Sequence, residues 1–141
     1  MEQIIATAIK EYGNTPIPGT ESNDEVLKYF KGIGFGGIKI DETPWCAAFA
    51  NWILLQCGIK GTNNLTAQSF LEIGTATTSP RIGDIAVIFG NDKGIHWSHV
   101  TFFVKELGGF FYCLGGNQSN TVCVKAYPKT LPFCFRRVLD N

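Results

Sequence analysis

Two side chains in this sequence have the chemistry and setting of a nucleophile and its base. Cys46 stands in Thr43-Pro44-Trp45-Cys46-Ala47-Ala48-Phe49, and His99 in Ser98-His99-Val100. A thiol is only a few per cent ionised at neutral pH, so it needs an imidazole within hydrogen-bond reach and a third group to orient that imidazole. Thr43 suits a helix N-cap and Pro44 the first helical position, which puts Cys46 in the first helical turn. Unpaired backbone N–H groups and the positive end of the helix dipole favour an anion there. The thiolate is therefore expected to be stabilised, and the same N–H groups can hold a developing oxyanion. An arbitrary cysteine is more often a buried packing residue; His99, at the start of a strand, is what gives Cys46 a second reading. His96 competes as base from the Asp92 to Trp97 loop.

The third member follows from strand register. A hairpin closed by Glu106 to Gly109 pairs Lys105 with Phe110 and hence His99 with Gly116, whereas one bulge moves His99 opposite Asn117. Parity thus leaves Asn117 if the ladder holds an extra residue and Gln118 if it does not. Trp45, Trp97, Gln118 and Asp41 are candidate substrate-binding residues, the tryptophans as groove walls and Asp41 as a partner for a substrate amine. Against each stands a plainer role: core packing for the aromatics, a polar turn for Gln118, a solvated loop for Asp41 and Glu42. A zinc site from His96, His99 and a cysteine lacks ligand spacing, so no metal and no cofactor are expected.

The elements that must position these residues are legible in outline. Ile4, Ile5, Ala8, Ile9 and Tyr12 recur at helical spacing before Gly13, and Ser22 with Glu25 forms a capping box for a helix through Phe30 to Gly32. The segment from Thr43 to Gly58 is apolar on nearly every face, which reads as a central buried helix. A shorter helix near Thr66 to Ile73 precedes a Thr/Ser/Pro loop. The period then changes to strands at Asp84–Phe89, His99–Lys105, Phe110–Leu114, Val122–Tyr127 and Phe133–Val138. Asp84 reads as a turn residue opening its strand. Helices followed by short-linked strands predict an α+β fold with an antiparallel sheet of about five strands, in one domain over residues 1–141.

Composition agrees with that and excludes several functions. The chain has 141 residues, 45% hydrophobic and 17% charged, with 12 Lys plus Arg against 12 Asp plus Glu. Such neutrality lacks the footprint of a nucleic-acid or membrane-surface binder. The longest apolar run, Trp45 to Leu55, is broken by Asn51 and is too short for a bilayer span and too far along for a signal peptide. Synthesis in the cytoplasm without a signal peptide is the expectation. Five cysteines without a CxxC pair indicate neither a disulfide framework nor a zinc ribbon. Cys57, Cys113, Cys123 and Cys134 read as packing residues.

PWCAAFANW, PRIGDIAVI, SHVTFFV and GGNQSNTVCVKAYP, in that order, resemble the CHAP and NlpC-type cysteine amidases and peptidases of bacterial cell walls. The stretch from Asp41 to Pro128 carries the resemblance, with KEYG and EVLKYF before it. It implies a papain-like fold, with Cys46 as nucleophile, His99 as general base and acid, and Asn117 rather than Gln118 as the orienting residue. Many relatives have a Glu two positions before that Asn, where this chain has Gly115. The implied activity is peptidoglycan hydrolysis at an amide or peptide bond through an acyl-enzyme, by a monomer acting in the wall or periplasm after export, lysis or injection. A phage lysin or an injected effector would fit, the latter with an immunity protein as partner. Two alternatives share the scaffold: a catalytically silent peptide- or partner-binding module, and an acyltransferase using the same Cys-His pair.

Overall fold

The computed structural model describes residues 2–16, 24–37 and 44–138. In chain order come α1 (Glu2–Ile9), α2 (Asp24–Gly32), α3 (Cys46–Gln56) and a 3₁₀ helix (Ala67–Glu72). Six strands follow: β1 (Thr75–Thr77), β2 (Ile85–Asp92), β3 (Ile95–Leu107), β4 (Phe110–Gln118), β5 (Thr121–Pro128) and β6 (Phe133–Arg137). They form one sheet in the order β1-β6-β2-β3-β4-β5, antiparallel at every pairing. The class is α+β as expected, with six strands among the described residues rather than five. The additional strand, β1, lies in the segment that reads as a Thr/Ser/Pro loop. It is held at the edge by Arg136, whose Nε and Nη2 donate to Ile73 O at 2.7 Å and Gly74 O at 2.9 Å. Its pairing with β6 is a tertiary event that local composition does not signal.

Alternation along the strands makes two cores. Ile85, Val87, Val100, Phe102, Leu114 and Val122 face the helices, where they join Ile4, Val26, Phe30 and most of α3. The opposite residues, Ala86, Ile88, Phe103, Cys113, Tyr127 and Phe135, form a second cluster with Phe111 and Phe133. Asp84 does more than open β2. It is wholly buried, and its carboxylate accepts Arg137 Nη2 at 2.6 Å, Arg137 Nε at 3.0 Å and the Arg81 N–H at 2.8 Å, tying β2 to the end of β6.

α3 is the buried helix that its apolar sequence implies, with Cys46 to Ala50, Ile53 and Leu54 all buried. Asn51, also buried, is satisfied by Thr62 and Asn64: its Nδ2 donates to Thr62 Oγ1 and Asn64 O, and Thr62 N–H donates to its Oδ1 at 2.7 Å. The C-terminus closes as a Schellman motif, with Ile59 N–H on Leu54 O, Gly58 N–H on Leu55 O and Gly58 at φ 73°. The N-terminus differs from the sequence reading. Trp45 is the N-cap residue, without a side-chain cap bond, and Cys46 is the first helical residue, so Pro44 precedes the helix. Thr43 lies outside the described residues, as does Ser22 of the expected capping box. Among the described residues no helix is long and apolar enough to cross a membrane.

Candidate active site

Two irregularities in β4 and its neighbours decide which side chains meet. β3 and β4 turn through Gly108 and Gly109 with Leu107 opposite Phe110, so Lys105 pairs with Tyr112 rather than Phe110. One extra residue, Val104, then interrupts β3, and pairing resumes at Phe103↔Cys113 and ends at Phe102↔Leu114. Carried onward, that register would bring Asn117 opposite His99. A second bulge intervenes on the β5 side: Gly115 pairs with Cys123 and Gln118 with Thr121, leaving Gly116 and Asn117 opposite Val122 alone. Asn117 takes up the extra residue at φ 58°, a left-handed conformation that asparagine tolerates. Parity is reversed again, and Gln118 faces His99.

The contact is direct. His99 Nε2 and Gln118 Oε1 are 3.1 Å apart. The Gln118 amide is fixed by its other bonds, since Nε2 donates to Cys113 O at 3.1 Å and to Cys123 O at 2.6 Å, and Oε1 also accepts the Tyr127 hydroxyl at 2.9 Å. With the amide nitrogen committed to two carbonyls, its oxygen is the acceptor toward His99. Nε2 therefore carries the imidazole hydrogen and Nδ1 is the free, basic nitrogen. Asn117, expected in this place, is half-buried and its side chain has no hydrogen bond to a described residue.

Cys46 reaches β3 one residue beyond His99. Phe103 N–H donates to the O of Asp84, the residue before β2, so by alternation the even residues of β3 aim their N–H groups toward β4, which has already parted from β3. The Val100 N–H is thus open, and with the N–H groups of Ala47 and Cys46 itself it acts to lower the Cys46 thiol. All three favour the thiolate, as the helix-start reading expects. Burial outweighs them and pushes the Cys46 thiol above its ordinary range. Burial also lowers His99 to about 4, with the Lys125 charge adding to the decrease and the Gln118 bond opposing it. At rest Cys46 is consequently a neutral thiol, not the pre-formed thiolate that the helix dipole alone suggests, and His99 is a neutral imidazole.

Close packing holds this arrangement. A Cβ at Gly116 would meet Phe49 Cβ at 2.7 Å and Trp45 Cζ3 at 2.8 Å, and one at Gly115 would meet Thr101 Oγ1 at 2.5 Å and Gln118 Oε1 at 3.0 Å. The two glycines let α3 press on one side of β4 while Gln118 folds over the other. Trp45, read as a groove wall, is instead core: 1% exposed, stacked on Tyr29 at a 6.0 Å centroid distance, its indole N–H directed at Asn120 Oδ1 at 3.5 Å. Gln118 is likewise closed to a substrate, because it is buried and every donor and acceptor position of its amide is occupied. Trp97 is different. It stands two residues before His99 on the same strand alternation, is 38% exposed, and lies across Gly90. Asp41 and Glu42 lie outside the described residues. His96, read as a loop residue, is an exposed residue of β3 paired with Asn91 of β2. Of the other cysteines, Cys113 is buried, Cys57 and Cys123 are half-buried, and Cys134, read as packing, is exposed. Tyr127 escaped the sequence reading, since an aromatic closing a strand gives no sign that its hydroxyl reaches a glutamine nine residues away.

The family model of the CHAP domain matches residues 38–117, more than half of the chain. No curated protein matches it. CHAP domains are in general cysteine- and histidine-dependent amidases or peptidases, which suggests peptidoglycan hydrolase activity in general, and the α+β architecture fits their papain-like fold. The match spans α3 through β4, the elements that bring Cys46 to the strand of His99, and on it the chain belongs to the CHAP family.

Proposed function

We propose that this domain cleaves an amide or peptide bond of peptidoglycan stem or cross-bridge peptides by covalent catalysis at Cys46. The observation that carries the reading is His99 held at Nε2 by Gln118 Oε1 at 3.1 Å, next in sequence to Val100, whose N–H favours the Cys46 thiolate. In this reading His99 Nδ1 takes the thiol proton as the sulfur attacks the scissile carbonyl. Because both groups rest neutral, transfer and attack proceed together. The first N–H groups of α3 hold the oxyanion. His99 then protonates the leaving amine, the acyl-enzyme forms, and a water deprotonated by the same nitrogen releases the acid. Trp97, exposed beside His99, forms a wall of the peptide groove.

Mass spectrometry of purified peptidoglycan after digestion tests this. New amine and carboxyl termini from the wild-type protein, absent with folded Cys46→Ala, are expected. Unchanged peptidoglycan would favour a silent binding module, and a product carrying a transferred acyl group would favour transfer to an amine; either would overturn the hydrolase reading.

A further inference from the structure

The phenol of Tyr127 takes no part in the chemistry given to Cys46 and His99, yet it is buried beside His99. Its hydroxyl donates to Gln118 Oε1 at 2.9 Å, and its ring centroid lies 5.9 Å from that of His99, the planes tilted by 37°. Oε1 therefore serves two donors at once, the Tyr127 hydroxyl and the His99 Nε2–H, which occupies both lone pairs of a carbonyl oxygen. Burial pushes the phenol well above its ordinary range, so Tyr127 remains a donor.

We propose that Tyr127 is a positioning residue that acts on His99 through Gln118: its hydroxyl pins the carbonyl and, by sharing that oxygen, limits how strongly the carbonyl can stabilise a protonated His99. The physical basis is competition. A neutral imidazole makes an ordinary N–H···O bond, whereas the imidazolium makes a charge-assisted one that gains more from an unshared acceptor. Tyr127 thereby helps to keep His99 neutral and ready to accept the thiol proton. That consequence for turnover rests on the hydrolase reading; the effect on the imidazole does not.

Other groups near the pair cannot substitute for this effect. On β5, Lys125 disfavours the imidazolium by its charge and holds its Nζ 5.6 Å from the Tyr127 ring centroid. The thiols of Cys46 on α3, Cys113 on β4 and Cys123 on β5 act on the phenol by charge, each raising it. On β2, His99 pairs with the apolar Ile88. Replacing Tyr127 with phenylalanine keeps the ring and leaves all of these in place, so it removes only the competing donor.

The test is a ¹⁵N NMR titration of the His99 imidazole in wild-type and Tyr127→Phe protein, paired with the pH profile of kcat/KM on peptidoglycan. The substitution should raise the His99 midpoint by about half a pH unit or more and move the acid limb of the profile with it. An unchanged or lowered midpoint in the folded variant would overturn the proposal. Should Tyr127→Phe fail to fold, wild-type protein carrying 3-fluorotyrosine at all its tyrosines answers the same question. Its more acidic hydroxyl is a stronger donor and should lower the His99 midpoint, while no movement or a rise would sink the idea. The titration needs no substrate: a shifted midpoint in a protein that leaves peptidoglycan intact would defeat the hydrolase reading alone.

Discussion

His99 Nε2 lies 3.1 Å from Gln118 Oε1, and with the Gln118 amide nitrogen committed to Cys113 O and Cys123 O that contact assigns the imidazole hydrogen to Nε2. Asn117, the adjacent residue, sits in the bulge at φ 58° and has no side-chain hydrogen bond to a described residue.

Exchange of the two neighbours should therefore separate them. Gln118→Ala is expected to lower kcat on peptidoglycan by about 10- to 100-fold, because the imidazole loses its orienting acceptor while the nucleophile stays intact. Asn117→Gly should retain activity within about threefold, glycine being at ease at φ 58°. Asn117→Ala should retain similar activity but lose about 1 kcal/mol of stability to left-handed strain. Steady-state rates with urea unfolding of each variant check both halves. The reverse ranking would return the orienting role to Asn117.

Acid should act on this protein in two separable ways. If His99 is the base, as the hydrolase reading has it, it must be neutral, so the acid limb of kcat/KM should have its midpoint at about 4 rather than the ordinary 6.5. For stability, the folded-state value is depressed, so between 6.5 and 4 the unfolded chain binds the extra proton. The stabilisation is complete above about 6.5 and is lost as pH falls toward 4, by about 3 kcal/mol at most. The stability of wild type relative to His99→Gln, read from melting curves, should fall as pH drops through this window. Parallel curves would show that His99 does not titrate with unfolding.

Thiol reactivity should follow exposure rather than helix position. With Cys46 buried and its thiol raised, and Cys134 exposed, iodoacetamide at pH 7 is expected to modify Cys134 well before Cys46. Peptide mapping of a time course reads the order. Prior labelling of Cys46 would mean that its sulfur is open and ionised in the resting protein.

Adding one methyl group at Gly116 should test the seating of the nucleophile helix. Gly116→Ala would force its Cβ against Phe49 and Trp45, so a loss of about 1–3 kcal/mol is expected, with a drop in activity larger than Gly109→Ala causes at an open turn. Denaturant midpoints and rates, measured together, decide it. Wild-type stability in Gly116→Ala would show that α3 can retreat from β4 without consequence.

Most of what reaches the site from sequence is local chemistry. An apolar segment with a terminal glycine specifies α3 and places Cys46 at its start, because hydrophobic coverage of every face leaves burial as the only stable outcome. Period-two segments specify the strands, and Ser98-His99-Val100 puts a histidine on one of them. Three further outcomes needed the folded chain. The choice between Asn117 and Gln118 depends on two bulges, and each extra residue reverses every side chain beyond it, so a count along the sequence cannot fix parity unless both are known. The protonation state of the Cys46–His99 pair depends on how deeply the elements around it exclude water, which here outweighs the helix-terminal field that the sequence makes visible. Tyr127 joins the site only because β5 folds back beside β4, bringing a hydroxyl to a carbonyl that local pattern gives no reason to connect.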